Sequence, residues 1–233
     1  DGNPLNGFEV IGFSNLSGDG NELGFNAALS WRTDSQAFAL TYRTGYEVDI
    51  DGTIEYDNFG PLAGAFIDSP GTTRLDLPAQ ATIAYGFTIG RSMKMEFDIA
   101  WAEWSAFEEI DVDIRDNTPF SQDFVIEENW DDTFSYRVGL TWEQSEQNEF
   151  RFGAVYDESP VPEEWLRPSI PDADRFGATV GWGYNNGGSW SLDSYYMALF
   201  FDDITAIPGN EGVVGGTYES FAHLAGVSVN FSF

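Results

Sequence analysis

Residues 126–175 set the pattern for the chain. In 134–142, Phe134, Tyr136, Val138, Leu140 and Trp142 alternate with Ser135, Arg137, Gly139 and Thr141. In 150–157, Phe150, Phe152, Ala154 and Tyr156 alternate with Arg151, Gly153, Val155 and Asp157. A period of two places successive side chains on opposite faces of a strand. One face is bulky and aromatic; the other mixes arginines, glycines and small polar groups. A soluble sandwich turns its large residues inward to a dry core. Here the polar set suits a water-filled bore, with the bulky set facing lipid.

The same grammar predicts an all-β fold of about ten antiparallel strands, near 7–17, 22–32, 36–57, 73–89, 93–115, 129–144, 148–158, 172–185, 189–205 and 216–233. Residues 33–35, 90–92, 145–147 and 186–188 read as short turns, whereas 58–72, 116–128, 159–171 and 206–215 are longer and hold most of the prolines and glycines. Tight turns at one end and long loops at the other are the wiring of a transmembrane barrel, with the short turns periplasmic. The connection at 18–21 is short where the pattern allows a long one. Trp31, Tyr85, Phe87, Trp142, Phe150, Tyr184 and Trp190 fall near the short turns and predict an interfacial aromatic girdle. Two readings, 36–57 and 93–115, exceed the roughly 9–11 residues of a tilted spanning strand. Their distal parts alternate acid with aliphatic and are expected to rise beyond the membrane as a paired wall.

Composition sharpens the membrane reading. Aromatics are 16 % of the 233 residues, mean hydropathy is only −0.27, and no apolar run nears the roughly 20 residues of a spanning helix. A barrel combines these properties because each strand meets lipid at every second residue. The net charge of −29 opposes nucleic-acid binding, which needs a basic surface; a solvated acidic exterior accounts for it. The start, DGNPLNGFEV, has no charged-then-apolar leader. An exported chain would have lost it, or these residues begin inside a longer one.

No catalytic set emerges. With one histidine and no cysteine, a histidine-based metal cluster or a cysteine nucleophile is excluded, and no cofactor is implied. His223 falls on the outward parity, near the outer rim. Asp49, Asp51, Asp111 and Asp113 form D-x-D repeats that could bind calcium at the outer surface, although they lack the glycine and terminal glutamate spacing of an EF-hand loop; a solvated acidic surface is the plainer reading. Parity turns Arg32, Arg43, Lys94, Arg137, Arg151 and Arg175 inward, beside Asp76, Glu96, Asp98, Asp157 and Asp193. Such charges inside a barrel are paired or hydrated. Trp104, Tyr195, Met197 and Leu199 are placed higher on that face, as large apolar groups able to line a greasy pocket under the loops.

The segments LDLPAQATIAYGF (75–87), FDIAWAEWSAFEEI (97–110), ENWDDTFSYRVGL (128–140), YDESPVP (156–162) and IPDADRFGATVGWGY (170–184) resemble the C-terminal portion of the outer-membrane long-chain fatty acid and hydrocarbon transporters of FadL type. The aliphatic alternation ending on Phe233 resembles the C-terminal signal of outer-membrane barrels. The resemblance implies the later part of a fourteen-stranded barrel, without the N-terminal hatch and first strands; closure as a ten-stranded barrel is the alternative. It implies passive, energy-independent passage of hydrophobic molecules in a bacterial outer membrane. The implied partners are a hydrophobic small molecule, outer-membrane lipid and lipopolysaccharide, and the missing front of the same barrel. Fatty-acid members resemble F-K-D where this chain has Trp130-Asp131-Asp132. Asp131 in a pocket wall would repel an anionic head group, which favours a neutral hydrocarbon or aromatic; Arg137 is the cation that could compensate. An outer-membrane lipid hydrolase using His223 and a soluble β-barrel lipid-binding protein are the rival readings.

Overall fold

The computed structural model describes residues 13–57, 66–116, 118, 121–210 and 213–231. The strands are β1 Phe13–Asp19, β2 Asn26–Arg32, β3 Gln36–Arg43, β4 Tyr46–Asp57, β5 Ser69–Leu77, β6 Gln80–Ile89, β7 Met93–Ala102, β8 Glu109–Ile114 and β9 Phe124–Glu127. There follow β10 Thr133–Glu143, β11 Asn148–Asp157, β12 Arg175–Asn185, β13 Trp190–Phe201, β14 Ile204–Ala206, β15 Gly216–Tyr218 and β16 Phe221–Phe231. Among the described residues the helical element is one three-residue 3-10 turn, Trp104–Ala106, and no helix there is long and apolar enough to cross a membrane.

The chain divides into two compact units. The larger is an antiparallel wall of nine strands in the order β16-β13-β12-β11-β10-β7-β6-β3-β2. Register on it is set by the period of two, because a one-residue slip would exchange its two faces. The sequence Leu29, Leu40, Ile83, Ile99, Tyr136, Tyr156, Phe176, Phe200, Phe221 runs across all nine strands as directly opposed neighbours. Every member is a large apolar or aromatic residue with at least 38 % of its surface open. One step further along β10 lies the inward row: Asp98, Arg137, Val155, Gly177 and Leu199 oppose one another on the other face. The predicted girdle also forms, with ring centroids 5.8 Å apart for Trp142 and Phe150 and 5.4 Å for Tyr184 and Trp190.

Such a wall cannot be the surface of a soluble domain. Eight apolar residues are buried among the described residues, against a continuous aromatic exterior. Water would penalise that exterior, whereas acyl chains would not. The bulky face therefore meets hydrocarbon, as the alternation predicts.

The second unit holds a five-stranded sheet, β1-β4-β5-β8-β9. Its small core is Ile54, Val112 and Ile114, with Tyr56 and Ile110 against it. This corrects the ten-strand reading. The predicted strands 36–57, 73–89 and 93–115 are each two strands. They break at Thr44–Gly45, at Pro78–Ala79 and around the 3-10 turn, and their halves join different sheets. The first predicted strand, described from Phe13, pairs with β4 and not with its successor β2; residues 7–12 lie outside the described set. Asp76 accordingly sits on β5, opposite Glu47, and not on the nine-stranded wall. Closure as a ten-stranded barrel is not what forms: β2 and β16, the wall's two edges, are not paired with each other among the described residues. The segment 116–128, read as loop, contains β9.

Two short turns depend on glycine. Gly90 and Gly187 adopt φ of 66° and 73°, a left-handed backbone that other residues enter only at a cost. The terminal Phe233 lies outside the described residues.

Candidate functional site

The inner face of the wall carries the charges the alternation assigns to it, and they are tied to each other. Lys94 bonds Glu143, and Arg151 bonds Glu149 and, at 2.9 Å, Asp193. Arg175 lies 2.8 Å from Asp172 and 3.4 Å from Asp157, which also stands 3.9 Å from Arg137. Lys94, Arg137, Arg151 and Arg175 thus have carboxylates within ion-pairing distance. Their side chains remain partly open, so water supports them and each pair adds little stability. What they do is neutralise the bore. A recess of about 790 Å³ lies over this face, with Arg32, Lys94, Glu96, Asp98, Arg137 and Met197 among the residues around it.

Apolar groups interrupt the charged face at one place. Val155, Met197 and Leu199 converge over Gly177: a Cβ added there would sit 2.6 Å from Val155 Cγ1, 2.6 Å from Met197 Cε and 2.9 Å from Leu199 Cδ2. Glycine is therefore favoured here by close approach of side chains, not by backbone angle: a larger residue would make these side-chain ends shift. Tyr195, one inward position nearer the short turns, leans over Gly226 of β16 in the same manner, 2.4 Å from the place of an added Cβ.

At the long-loop end is a second hollow of about 360 Å³. Trp104 from the 3-10 turn meets Trp130 edge-on at 5.1 Å, and Val161, Ile170, Pro171 and Arg175 continue the lining. The loop is fixed in place by its own core of Val161, Leu166 and Ala206, against which Trp130, Ile204, Val213 and Tyr218 pack. Polar ties complete it: the Ser159 amide donates to Asp174 at 2.8 Å, and the Ser159 hydroxyl to Asp172 at 3.1 Å. Asp132 accepts from the Ser105 amide at 3.1 Å and the Trp101 indole at 3.2 Å. The Ser105 hydroxyl is the largest influence holding the Asp132 carboxyl below the ordinary carboxylate range; burial opposes it, and the Ser105 amide and the indole add smaller lowering effects.

The six residues singled out from sequence therefore fall into separate places. Arg137 and Met197 meet the recess, Leu199 joins Met197 over Gly177, and Tyr195 stands beside them on β13. Trp104 belongs to the loop-side hollow. Asp131 is exposed, its amide bonded to the Pro160 carbonyl at 2.8 Å. Trp130, Val161, Ile170 and Gly177 were missed. The first three sit in irregular loop sequence, where no period marks a facing; Gly177 reads as one of several alternating glycines, and only its neighbours reveal its role. His223 lies on the outer face, as its parity predicts, with Tyr196 hydroxyl at its Nδ1 and Phe221 edge-on at 4.3 Å.

An antiparallel wall with lipid facing outward and a charge-neutralised inner face defines a β-barrel protein of the bacterial outer membrane. The chain belongs to the outer membrane protein transport family (OMPP1/FadL/TodX), whose model matches residues 4–233. It is 27 % identical over 229 residues to the long-chain fatty acid transport protein of Escherichia coli K12, an alignment covering 92 % of this chain and 50 % of that protein. With the 47 kDa outer membrane protein of Pasteurella multocida it shares 29 % over 234 residues, 94 % of this chain and 52 % of the other. The fold is similar to that of a Pseudomonas aeruginosa FadL homologue, with a TM-score of 0.76 at 22 % identity over 89 % of this chain and 52 % of that one. It is also similar to the Ralstonia pickettii toluene transporter TbuX, with a TM-score of 0.57 at 16 % identity over 95 % and 51 %. The chain spans about half the length of the curated relatives it matches.

Proposed function

We propose that the protein to which this chain belongs passes hydrophobic molecules through the outer membrane without energy coupling, and that its cargo is neutral, a hydrocarbon or aromatic, more than a long-chain carboxylate. The observation that carries this reading is the pairing of the inner cations. Arg137, the cation that could meet a carboxylate, already faces Asp157, and Arg175 is held by Asp157 and Asp172. An anionic head group would have to displace a carboxylate and would meet net negative charge around it. A neutral molecule needs no such exchange. Trp104 beside Trp130, and Met197 with Leu199, supply apolar surface at the two levels where cargo would rest. Asp131 contributes negative potential at the loop end.

The relatives and structural neighbours include proteins named for long-chain fatty acids and for toluene, and the chemistry of this inner face favours the second kind of cargo. Lipopolysaccharide would border the long loops, and the remaining strands of the longer protein would complete the barrel of which residues 1–233 form one region. A hydrolase reading lacks support, because His223 is engaged with Tyr196 on the outer face.

The test is flux into liposomes carrying the full-length protein, with labelled toluene and labelled oleate compared. Toluene uptake above protein-free liposomes, exceeding the relative gain for oleate, is expected. Toluene uptake equal to protein-free liposomes would remove the transport reading; a larger gain for oleate would remove the preference for neutral cargo.

A further inference from the structure

We infer that the inner wall is divided lengthwise into two lanes, and that neutral apolar cargo follows the lane built on β13. The inference rests on the transport reading above. Register places the division. On β13 the inward positions Tyr195, Met197 and Leu199 succeed one another toward the long loops, and their partners on β12 are Gly181, Thr179 and Gly177. On β16 the partners are Gly226, Leu224 and Ala222. The ridge of large apolar side chains thus stands between small or aliphatic neighbours on both sides. Charges bound the ridge only at its ends, with Asp193 one inward step nearer the short turns than Tyr195 and Arg175 on β12 opposite Phe201; Lys94, Glu96 and Asp98 on β7, Arg137 on β10, and Arg151 with Asp157 on β11 lie away from it.

Desolvation decides which lane a neutral molecule takes. Beside β7 and β10 it would strip water from ionised groups, which is unfavourable. Beside β13 it covers apolar surface that is otherwise wet: Tyr195 is 55 % exposed although it faces inward. Steps of two residues separate the ridge members by about 6.7 Å, so a small aromatic can touch one before leaving the previous one. Gly177 sets the depth of this lane, since any side chain there displaces Met197, Leu199 and Val155 together.

The chain has no cysteine, so once any cysteine in the rest of the full-length protein is replaced by serine, a single introduced cysteine is the one reactive thiol. In the full-length protein in liposomes, Tyr195→Cys, Met197→Cys and Leu199→Cys are compared with Gly139→Cys and Thr141→Cys on β10, each reacted with a charged thiol reagent with and without saturating toluene. Toluene is expected to slow labelling several-fold at the three β13 positions and to leave the two β10 positions unchanged. Equal protection in both lanes, or protection at β10 alone or nowhere, would overturn the inference. Gly177→Ala in the cysteine-free protein is the independent check, read with its heat-modifiable migration to establish folding. It is expected to slow toluene uptake several-fold, and unaltered uptake would count against the lane. Protection is read without any flux. Failure of the transport reading, seen as no toluene uptake by the unaltered protein, is therefore distinguishable from failure of the lane.

Discussion

Arg151 on β11 reaches across β12 to Asp193 on β13, Nη1 to Oδ1 at 2.9 Å, passing over Gly183. An added Cβ on Gly183 would stand 3.1 Å from the Asp193 oxygen and 3.2 Å from Arg151 Nη2. The glycine therefore leaves the path by which a charge pair spans a strand. Both side chains are more than a third exposed, so the pair sits in hydrated surroundings, and a double-mutant cycle of Arg151→Ala and Asp193→Ala should give a coupling of only about 0.2–1 kcal/mol. Denaturant unfolding from lipid vesicles measures it. A coupling of several kcal/mol would mean that the bore excludes water around this pair.

Leu166 is fully buried, with Val161 and Ala206 as its core partners. Replacing it with alanine leaves a cavity where the loop has almost no other core. The local cost should be about 2–5 kcal/mol. Because Leu166 lies in the connection between β11 and β12, the damage should remain in the loops. Limited proteolysis is expected to cut within 158–174 in Leu166→Ala, while heat-modifiable migration of the barrel is retained. Loss of that migration would show that the loop core also holds the wall together.

The facing of the strands was legible because each strand of the wall keeps its parity for seven or more residues, as Phe134 to Trp142 does. The division into two sheets was not. Alternation runs through Thr44–Gly45 without changing what it says about faces, yet β3 then pairs with β6 while β4 pairs with β1 and β5. Partner choice is a non-local property that a period of two does not encode. Pro78 was a local sign of a break, since proline has no amide to donate to a ladder, but it reads equally as part of the 73–89 run. The candidate site divides in the same manner. Met197 and Leu199 follow from parity, whereas the contact between Trp104 and Trp130 depends on how two irregular connections fold back.

Asp132 should make the loop end sensitive to acid. Its carboxyl is held below the ordinary value of 3.8 by the Ser105 hydroxyl first, then the Ser105 amide and the Trp101 indole. A depressed native pKa means that the stabilisation is complete above the unfolded-state value and is lost as pH falls through the native value. The tie between the 3-10 turn and the start of β10 should therefore be unaffected from neutrality to about pH 5 and weaken below about pH 4. Proteolytic resistance of the segment around 103–108, followed with an acid-stable protease, tests this. Asp132→Asn should be weaker at neutral pH and lose most of the acid dependence. An unchanged acid transition in that variant would assign it to other carboxylates.

The orientation of the wall can be inverted by argument but not by experiment. Val138 and Gly139 are consecutive residues at the centre of β10, and the structure turns them to opposite faces. Val138 follows the aromatic row and opposes Phe97 and Ala154, while Gly139 opposes Glu96 and Gly153. An arginine at 138 would place its guanidinium in hydrocarbon near mid-membrane, at a cost of about 2–4 kcal/mol. An arginine at 139 would enter the bore, where an added Cβ meets nothing within 4 Å and the neighbouring Glu96 offers a counter-charge. Val138→Arg should therefore lower unfolding free energy in vesicles by that amount, and Gly139→Arg by well under half of it. Equal losses, or the larger loss at Gly139, would turn the aromatic rows away from lipid. The pairing of charges on the inner wall, and the choice of cargo argued from it, would then have no bore to act in.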